Sequence, residues 1–573
     1  MILTDPDRIE NLINESARTD IFTSFDTETD GTAPYNGSRL CGLSIRNSCD
    51  NHSYYVPFRH KAGTNAPERV LRSFSRLFEN PLKSVIMWNA SFDVHHLFVD
   101  GITVKSKIID AQLGSHLLNE NIGKEPDTYD FPLKPMADKC LGYDASLQER
   151  EMEAQIGGKA NIHKADPEII APYACQDTDL TWEMFCYNYE GLKKQNLLGI
   201  WNELSDYTAL TIEMEKEGAL IDQERVKRAL ETLVPDQAKQ LAELRQLVGD
   251  PKFNPNSHVQ CKKLFGLDLS DKCDKEFLEL LGTPAAKGVL TARAFTKIKG
   301  SFYVPFSELA DANGRIHPSI KLFGTGPGRP SCTQPNLQAL PRENDFFNVR
   351  SMIISPPGYS ILSCDWSQIE LRLLAHYSQD PNLIKAYMED MDIHQMTSDL
   401  LNVDRDWAKR LNFGVTYGLA APGFMKQARV TKKVAERTLD AFHGTYPNVQ
   451  RLYRACQKKA EEKGYITMWT GRRRRYPQAF EQRKAMSGLI QGGVAEVMRV
   501  SLTRLHNKFK DNPDVRLFLQ VHDDVLAYVK DDVLFDVARE FRTILEDFDF
   551  KVPVKTEVKY GKSWGSLTKW KDV

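Results

Sequence analysis

The sequence predicts a multidomain chain, an α/β unit followed by a larger α+β region. Three observations carry this. At 573 residues the chain is longer than one hydrophobic core organises. Residues 1–200 alternate β-rich and helical runs, whereas from 201 the text turns to long, charged helical stretches. Apolar strand-like runs return only at 359–366 and 516–530.

The elements follow in order. IFTSFDTETDG (21–31) reads as a strand running into a loop, with CGLSIRN (41–47) and HSYYVPF (52–58) as further strands. LKSVIMWNA (82–90) is another, leading into a helical SFDVHHLFVDG (91–101). Long side chains at helical spacing fill DYTALTIEMEKEGALID (206–222) and PDQAKQLAELRQLVG (235–249). Residues 311–345 are rich in Gly, Pro, Asn and Ser, and are expected to be loops crossing a surface. YSILSCDW (359–366) is a strand, IELRLLAHYS (369–378) a helix, and helical text continues to about 500. RLFLQVHD (516–523) and DVLAYVK (524–530) then form a strand pair.

Composition excludes several classes. With 41% hydrophobic and 27% charged residues and a mean hydropathy of −0.44, the chain reads as an ordinary globular protein. No apolar run approaches a membrane span, and MILTDPDRIENLI lacks the pattern of a secretory signal. Ten cysteines lie scattered without a CxxC pair, which argues against a zinc ribbon and suits a reducing compartment. The expected location is cytoplasmic, in a bacterium or a host cell. The net charge of −2 hides an asymmetry. Residues 1–200 hold 20 basic and 29 acidic side chains, against 55 and 48 in 201–573. The larger, basic part is the one expected to meet a polyanion.

Asp26 and Glu28 sit two apart where a strand ends, so both point to one face. Asp93 follows a second strand, and Tyr173 and Asp177, four apart, share a helix face. Taken singly, each acid reads as an ordinary surface charge. Four acids and a tyrosine converging from separate elements are what a two-metal phosphodiesterase needs, because two hard cations about 3.5–4 Å apart want shared oxygen ligands. The order and spacing resemble the DnaQ-like 3′→5′ proofreading exonucleases. That resemblance makes Asp26, Glu28, Asp93 and Asp177 metal ligands, with Asn89 before Asp93 in the motif and Tyr173 orienting water.

In RDWAKRLNFGVTYG (405–418), Arg405, Lys409, Phe413 and Tyr417 recur every four residues and form one helical stripe. Cations interleaved with rings suit an anionic ligand with an aromatic end, such as a nucleoside triphosphate. A purely structural stripe is the competing reading. SCDWSQIELR (363–372) sets Asp365 at a strand end, with Gln368, Glu370 and Arg372 just after it. LQVHDDVLA (519–527) places Asp523 and Asp524 side by side. Successive strand residues face opposite ways, so either a tight turn lets both reach one ion or one supports the other. Asp365 supplies a second carboxylate for two Mg²⁺ ions that would activate a hydroxyl and neutralise a triphosphate.

Taken in chain order, 363–372, 405–418 and 519–527 resemble motifs A, B and C of the family A, DNA polymerase I-like, DNA polymerases. MEKEGALID (214–222), FNPNSHVQ (253–260), GTGPGRPSCTQPNLQALP, WTGRRRRYP and IQGGVAEV extend the likeness over essentially the whole chain. The resemblance implies an RNase H-like exonuclease domain over 1–200 and a right-hand polymerase. Its thumb would span 201–305, its palm 306–385 and 483–573, and its fingers 386–482. Asp365 and Asp523 become catalytic metal ligands, and Asp524 their helper. Glu370 becomes the gate against a ribose 2′-hydroxyl, with Tyr417 packing beside it. Arg405 and Lys409 become triphosphate contacts and Phe413 the ring against the sugar, with Gln368 and His522 also at the nucleotide. Arg329, Asn336, Gln338, Arg483, Ser487 and Gln491 become contacts to DNA. The run Arg472 to Arg475 is expected on the phosphate backbone, a nuclear localisation signal being the competing reading.

Three positions depart from the family pattern: Asp524 where glutamate is usual, Trp366 where tyrosine is usual, and Ser487 where asparagine is usual. No 5′-nuclease domain is expected before the exonuclease, a compact form that resembles phage replicative polymerases. The activity implied is template-directed DNA synthesis with 3′–5′ proofreading. The cofactor is Mg²⁺, two ions per site, with Mn²⁺ able to substitute. Primer–template DNA and dNTPs are the implied partners; a helicase-primase, a single-strand-binding protein or a processivity factor are further candidates. No membrane is implied, and the chain is expected to be a monomer. A nuclease whose second half only holds DNA is disfavoured by intact Asp365 and Asp523, and an RNA polymerase by Glu370.

Overall fold

A computed structural model of the chain describes residues 1–573 other than positions 123, 126, 127, 130, 269, 342, 344–346, 417, 419, 420, 429, 572 and 573. The first unit is built on a five-stranded sheet of order β3-β2-β1-β4-β5, with β1 (Thr23–Thr29) at its centre. β2 (Leu40–Asn47) and β3 (Ser53–Pro57) run antiparallel on one side; β4 (Ser84–Met87) and β5 (Lys107–Asp110) run parallel on the other. One face buries Phe25, Leu43 and Val85 against Leu12, Phe74 and Leu97. The helix Pro167–Gln195 crosses the opposite face. Its start is set by Asp166, which accepts from the Glu168 N–H, and by Pro167 in the first turn.

The second unit centres on an antiparallel sheet. Its order is Val515–Val521, Asp524–Lys530, Tyr359–Trp366, Thr556–Gly561 and Thr568–Lys569. Along Tyr359–Trp366 the even-numbered Leu362, Cys364 and Trp366 enter a large helical core, while Ser363 and Asp365 face the other way. The Trp366 indole donates to the Leu545 carbonyl at 2.9 Å. The tryptophan that departs from the family pattern is therefore an anchor behind the sheet. A helical arm between Gln223 and Ile298 has a small core of its own, around Leu244, Cys261, Leu278 and Val289.

The helix Leu198–Glu217 joins the two units. Trp201 donates to the Asp110 carbonyl at the end of β5, and the same helix packs on the strand Val515–Val521. Among the described residues, no helix is long and apolar enough to cross a membrane.

Two expectations need correction. Residues 311–345 are not simply surface loops: they carry short strands at Arg315–Ile316, Ser319–Lys321 and Ser331–Thr333, and bury Leu322, Phe323 and Cys332. The arginine run does not lie on the outside to meet phosphate. Arg472 and Arg474 are buried; Arg472 pairs with Glu496, and Arg474 and Arg475 both pair with Glu120 of the first unit. Burying a guanidinium requires a partner. The sequence showed the charges but not the distant glutamates that neutralise them.

Candidate active sites

The first site lies where β1 meets the helix Pro167–Gln195. Asp26 and Glu28 leave one face of β1, and Tyr173 and Asp177 one face of the helix. Carboxylate oxygens of Asp26, Glu28 and Asp177 lie within 4.8 Å of one another. These groups line a cavity of about 590 Å³ together with Asn89, Asp93 and Tyr173. Asp93, in the first turn of the helix Ala90–Val99, stands outside the 4.8 Å group. Its Oδ1 accepts from the Thr27 N–H at 3.1 Å and the Thr27 hydroxyl at 2.6 Å, which ties it to β1 between the other two acids. Asn89 starts that helix in the left-handed region at φ 60°, and the Asp110 carboxylate receives the Asn89 and Ala90 N–H groups.

Burial and mutual repulsion shift these acids strongly. Burial, then the Asp93 charge, drives Asp26 well above the usual carboxylate range. Burial and Asp177 push Glu28 up to about 8, and burial pushes Asp93 to about 7. Glu28 Oε1 is buried with no hydrogen-bond partner among the described residues. An all-oxygen set of mutually repelling, incompletely satisfied carboxylates fits a hard divalent cation.

The second site is at one end of the inner strands of the second sheet. Asp365 lies directly across from Asp524 in the antiparallel register. His522 and Asp523 make the turn between the hairpin strands, with His522 at φ 53°. This answers the paired-aspartate problem: a turn, not a regular strand, carries Asp523, and the Asp365 charge acts on both neighbours. Burial chiefly, with Glu370 and Asp365 adding, lifts Asp523 to about 6 against the pull of Arg329. Burial and Asp365 lift Asp524 to about 7. The Ser363 hydroxyl donates to the Asp524 carboxylate, at 2.8 and 3.0 Å from its two oxygens.

Around these acids, Glu370 is buried at the start of the helix Ile369–Ser378 and forms an ion pair with Arg329. Gln368 caps that helix at φ 56° and accepts from the Tyr387 hydroxyl at 3.0 Å. A crevice of about 30 Å³ brings Arg329, Gln338, His522 and Asp523 together. The helix Arg405–Thr416 packs on Ile369–Ser378 and presents exposed Arg405 and Lys409 and half-buried Phe413. Arg405 pairs with Asp392 at 2.8 Å. Tyr417 lies outside the described residues. Asn336 spends its side chain on capping a short turn, accepting from the Ala339 N–H. Exposed Arg483 precedes the helix Ala485–Phe509, on whose first turns Ser487 and Gln491 lie four apart.

Sequence reasoning missed Ser363, Lys134 and Glu149. Lys134 is buried and reaches Asp177 at 2.5 Å and Glu149 at 3.5 Å. Neither lysine nor glutamate stands near an acidic motif in sequence. Ser363 carried a usable signal: it is two residues before Asp365, so it shares its face.

A family model described as DNA polymerase family A matches residues 223–566, and one described as 3′-5′ exonuclease matches residues 1–187. The chain is 29% identical to DNA polymerase I of Chloroflexus aurantiacus, over 99% of this chain and 63% of that protein. It is 24% identical to DNA polymerase I of Treponema pallidum, over 99% and 62%. It is 26% identical to that of Pseudomonas aeruginosa, over 94% and 63%. The chain thus spans somewhat less than two thirds of the length of these relatives. A solved structure titled "POL domain of Pol1 from M. smegmatis complex with DNA primer-template and dNTP" shares the fold, with a TM-score of 0.83 at 20% identity. That match covers 99% of this chain and 100% of the other.

Proposed function

The chain belongs to DNA polymerase family A and carries a 3′–5′ exonuclease domain, and from that premise we infer that it extends a primer on a DNA template and proofreads the product. The observation that carries this reading is the convergence of Asp365, Asp523 and Asp524 at one end of the sheet's inner strands, beside a helix presenting Arg405, Lys409 and Phe413. The solved neighbour whose title names primer-template and dNTP supports these as the ligands.

The proposed cofactor is Mg²⁺, two ions at each site, with Mn²⁺ able to replace it. Bound ions would activate the attacking oxygen and neutralise the leaving phosphate. The chain's own part is positioning and charge. Asp365 and Asp523 would hold the ions at the ends of the inner strands, with Asp524, steadied by Ser363, in support. Arg405 and Lys409 would draw the triphosphate, and Phe413 would pack on the sugar. Glu370 would crowd a 2′-hydroxyl. Gln368 and His522 would line the nascent pair, and Arg329, Asn336, Gln338, Arg483, Ser487 and Gln491 the DNA. In the first unit, Asp26, Glu28, Asp93 and Asp177 would hold ions, and Tyr173 would orient the attacking water. The thumb, palm and fingers are assigned to 201–305, to 306–385 with 483–573, and to 386–482.

A labelled primer–template with Mg²⁺ tests the reading. Extension with dNTPs and shortening without them is expected. Absence of extension would overturn the polymerase assignment, and absence of shortening the exonuclease assignment.

A further inference from the structure

The acidic site of the first unit already contains a cation of its own. The Lys134 ammonium, on the first turn of the helix Leu133–Leu141, is 2.5 Å from Asp177 Oδ1. It also lies 4.3 Å from the centre of the Tyr173 ring. Its side chain is 7% exposed, so water cannot solvate the charge. Its second carboxylate is Glu149 on the helix Leu147–Ile156, with Oε2 at 3.5 Å. Glu149 is 21% exposed and takes no part in the 4.8 Å group, and its other oxygen pairs with Lys159.

We propose that Lys134 is a resident counter-ion of the exonuclease centre, neutralising Asp177 while no divalent ion is bound and moving to Glu149 when ions enter. This rests on the reading of Asp26, Glu28 and Asp177 as metal ligands. Three carboxylates this close repel one another, and the buried Lys134 ammonium is in contact with one of them. A divalent ion on Asp177 removes what holds the ammonium there and adds repulsion against it. Glu149 is already within reach, so the transfer needs a side-chain shift and no backbone movement. Metal binding is then an exchange of one cation for another. Lys134 lowers the apparent metal affinity and stabilises the metal-free fold, while Glu149 does the reverse for affinity.

The test uses the full chain and three variants, Lys134→Met, Lys134→Arg and Glu149→Gln. Two quantities are read: thermal unfolding in EDTA and in excess Mg²⁺, and the Mg²⁺ concentration that half-saturates degradation of a single-stranded oligonucleotide. Lys134→Met should melt earlier than wild type in EDTA, with a smaller difference in Mg²⁺. It should also reach half-saturation at a Mg²⁺ concentration lower by about threefold or more. Glu149→Gln should shift half-saturation upward, and Lys134→Arg should keep the wild-type melting in EDTA. A higher Mg²⁺ requirement in Lys134→Met would overturn the proposal, making Lys134 a support that presents Asp177 to the metal. If Lys134→Arg melts as early in EDTA as Lys134→Met, charge is not the cause and the proposal also fails. Failure of the underlying reading looks different: wild type itself would show no metal-dependent degradation.

Discussion

Asp365 and Asp524 face each other directly across two antiparallel strands, carboxylate opposite carboxylate. Like charges so placed destabilise a sheet, and here a hydroxyl offsets part of the cost: Ser363 donates to Asp524. Asp523, one residue earlier in the turn, has no such tether among the described residues and feels the charges of Arg329 and Glu370. Asp524 is thus tied to the sheet, and Asp523 is the one of the two proposed as ion ligand. Asp365→Ala and Asp523→Ala should each lower single-turnover primer extension by about 10³-fold or more, and Asp524→Ala by only about tenfold. Equal losses for the two neighbours would remove the ranking.

The two acidic sites lie on different sheets and should be separable. Asp26→Ala should abolish degradation of single-stranded DNA while extension of a matched primer continues at the wild-type rate. The measurement is product length on a sequencing gel, with and without dNTPs. Loss of extension in this variant would mean that one centre serves both reactions.

The raised carboxylates fix the sign of a pH effect. Glu28 is raised to about 8, Asp93 and Asp524 to about 7, and Asp523 to about 6. In the unfolded chain such groups titrate near pH 4. The folded, metal-free protein therefore holds protons that the unfolded chain has released. The stability this contributes is present below about pH 4 and is lost as pH rises through about 6 to 8. Divalent ions bind the ionised form and reverse the trend. The melting temperature in Mg²⁺ minus that in EDTA should widen from about pH 5 to about pH 8. A difference independent of pH would show that these carboxylates do not govern metal binding.

The legible parts of the molecule were those written in local spacing. Asp26 and Glu28 two apart on a strand, and Tyr173 and Asp177 four apart on a helix, point where period and pitch require. Trp366 behind the sheet follows from the same alternation that brings Asp365 forward. What stayed hidden depends on partners distant in the chain. Arg472 to Arg475 read as a basic patch because Glu120 and Glu496 are invisible from that segment. Lys134 likewise acquires meaning only when folding sets it against Asp177.

The arginine run now predicts stability. Glu120, with a side chain 2% exposed, takes Arg474 at 3.0 Å and Arg475 at 2.7 Å. Arg475 also donates to the Leu117 carbonyl and to Gln195. Glu120→Ala leaves two guanidinium groups without their carboxylate and should cost about 3–5 kcal/mol. It should also speed proteolysis between the two units. Arg475→Gln should lower the melting temperature yet leave the salt dependence of DNA affinity unchanged. A shallower salt slope would restore the phosphate contact.

Sugar selection tests the Arg329–Glu370 pair. Glu370 is buried at a helix start, and its Oε1 is held by the Arg329 guanidinium. A buried, anchored carboxylate cannot swing aside for a 2′-hydroxyl without breaking that bond, so the discrimination is steric and depends on the anchor. Glu370→Ala opens the space and should lower the ratio of kcat/KM for dATP over ATP by about 10²-fold. Arg329→Ala removes the anchor but keeps the carboxylate, and should lower the ratio by a smaller factor. Arg329 is also proposed to touch DNA, so the ratio is measured at saturating primer–template, where that contact cancels between the two nucleotides. Relaxed selection in Glu370→Ala alone would leave Glu370 the gate and Arg329 outside sugar selection. Unchanged selection in both variants would remove Glu370 from that role.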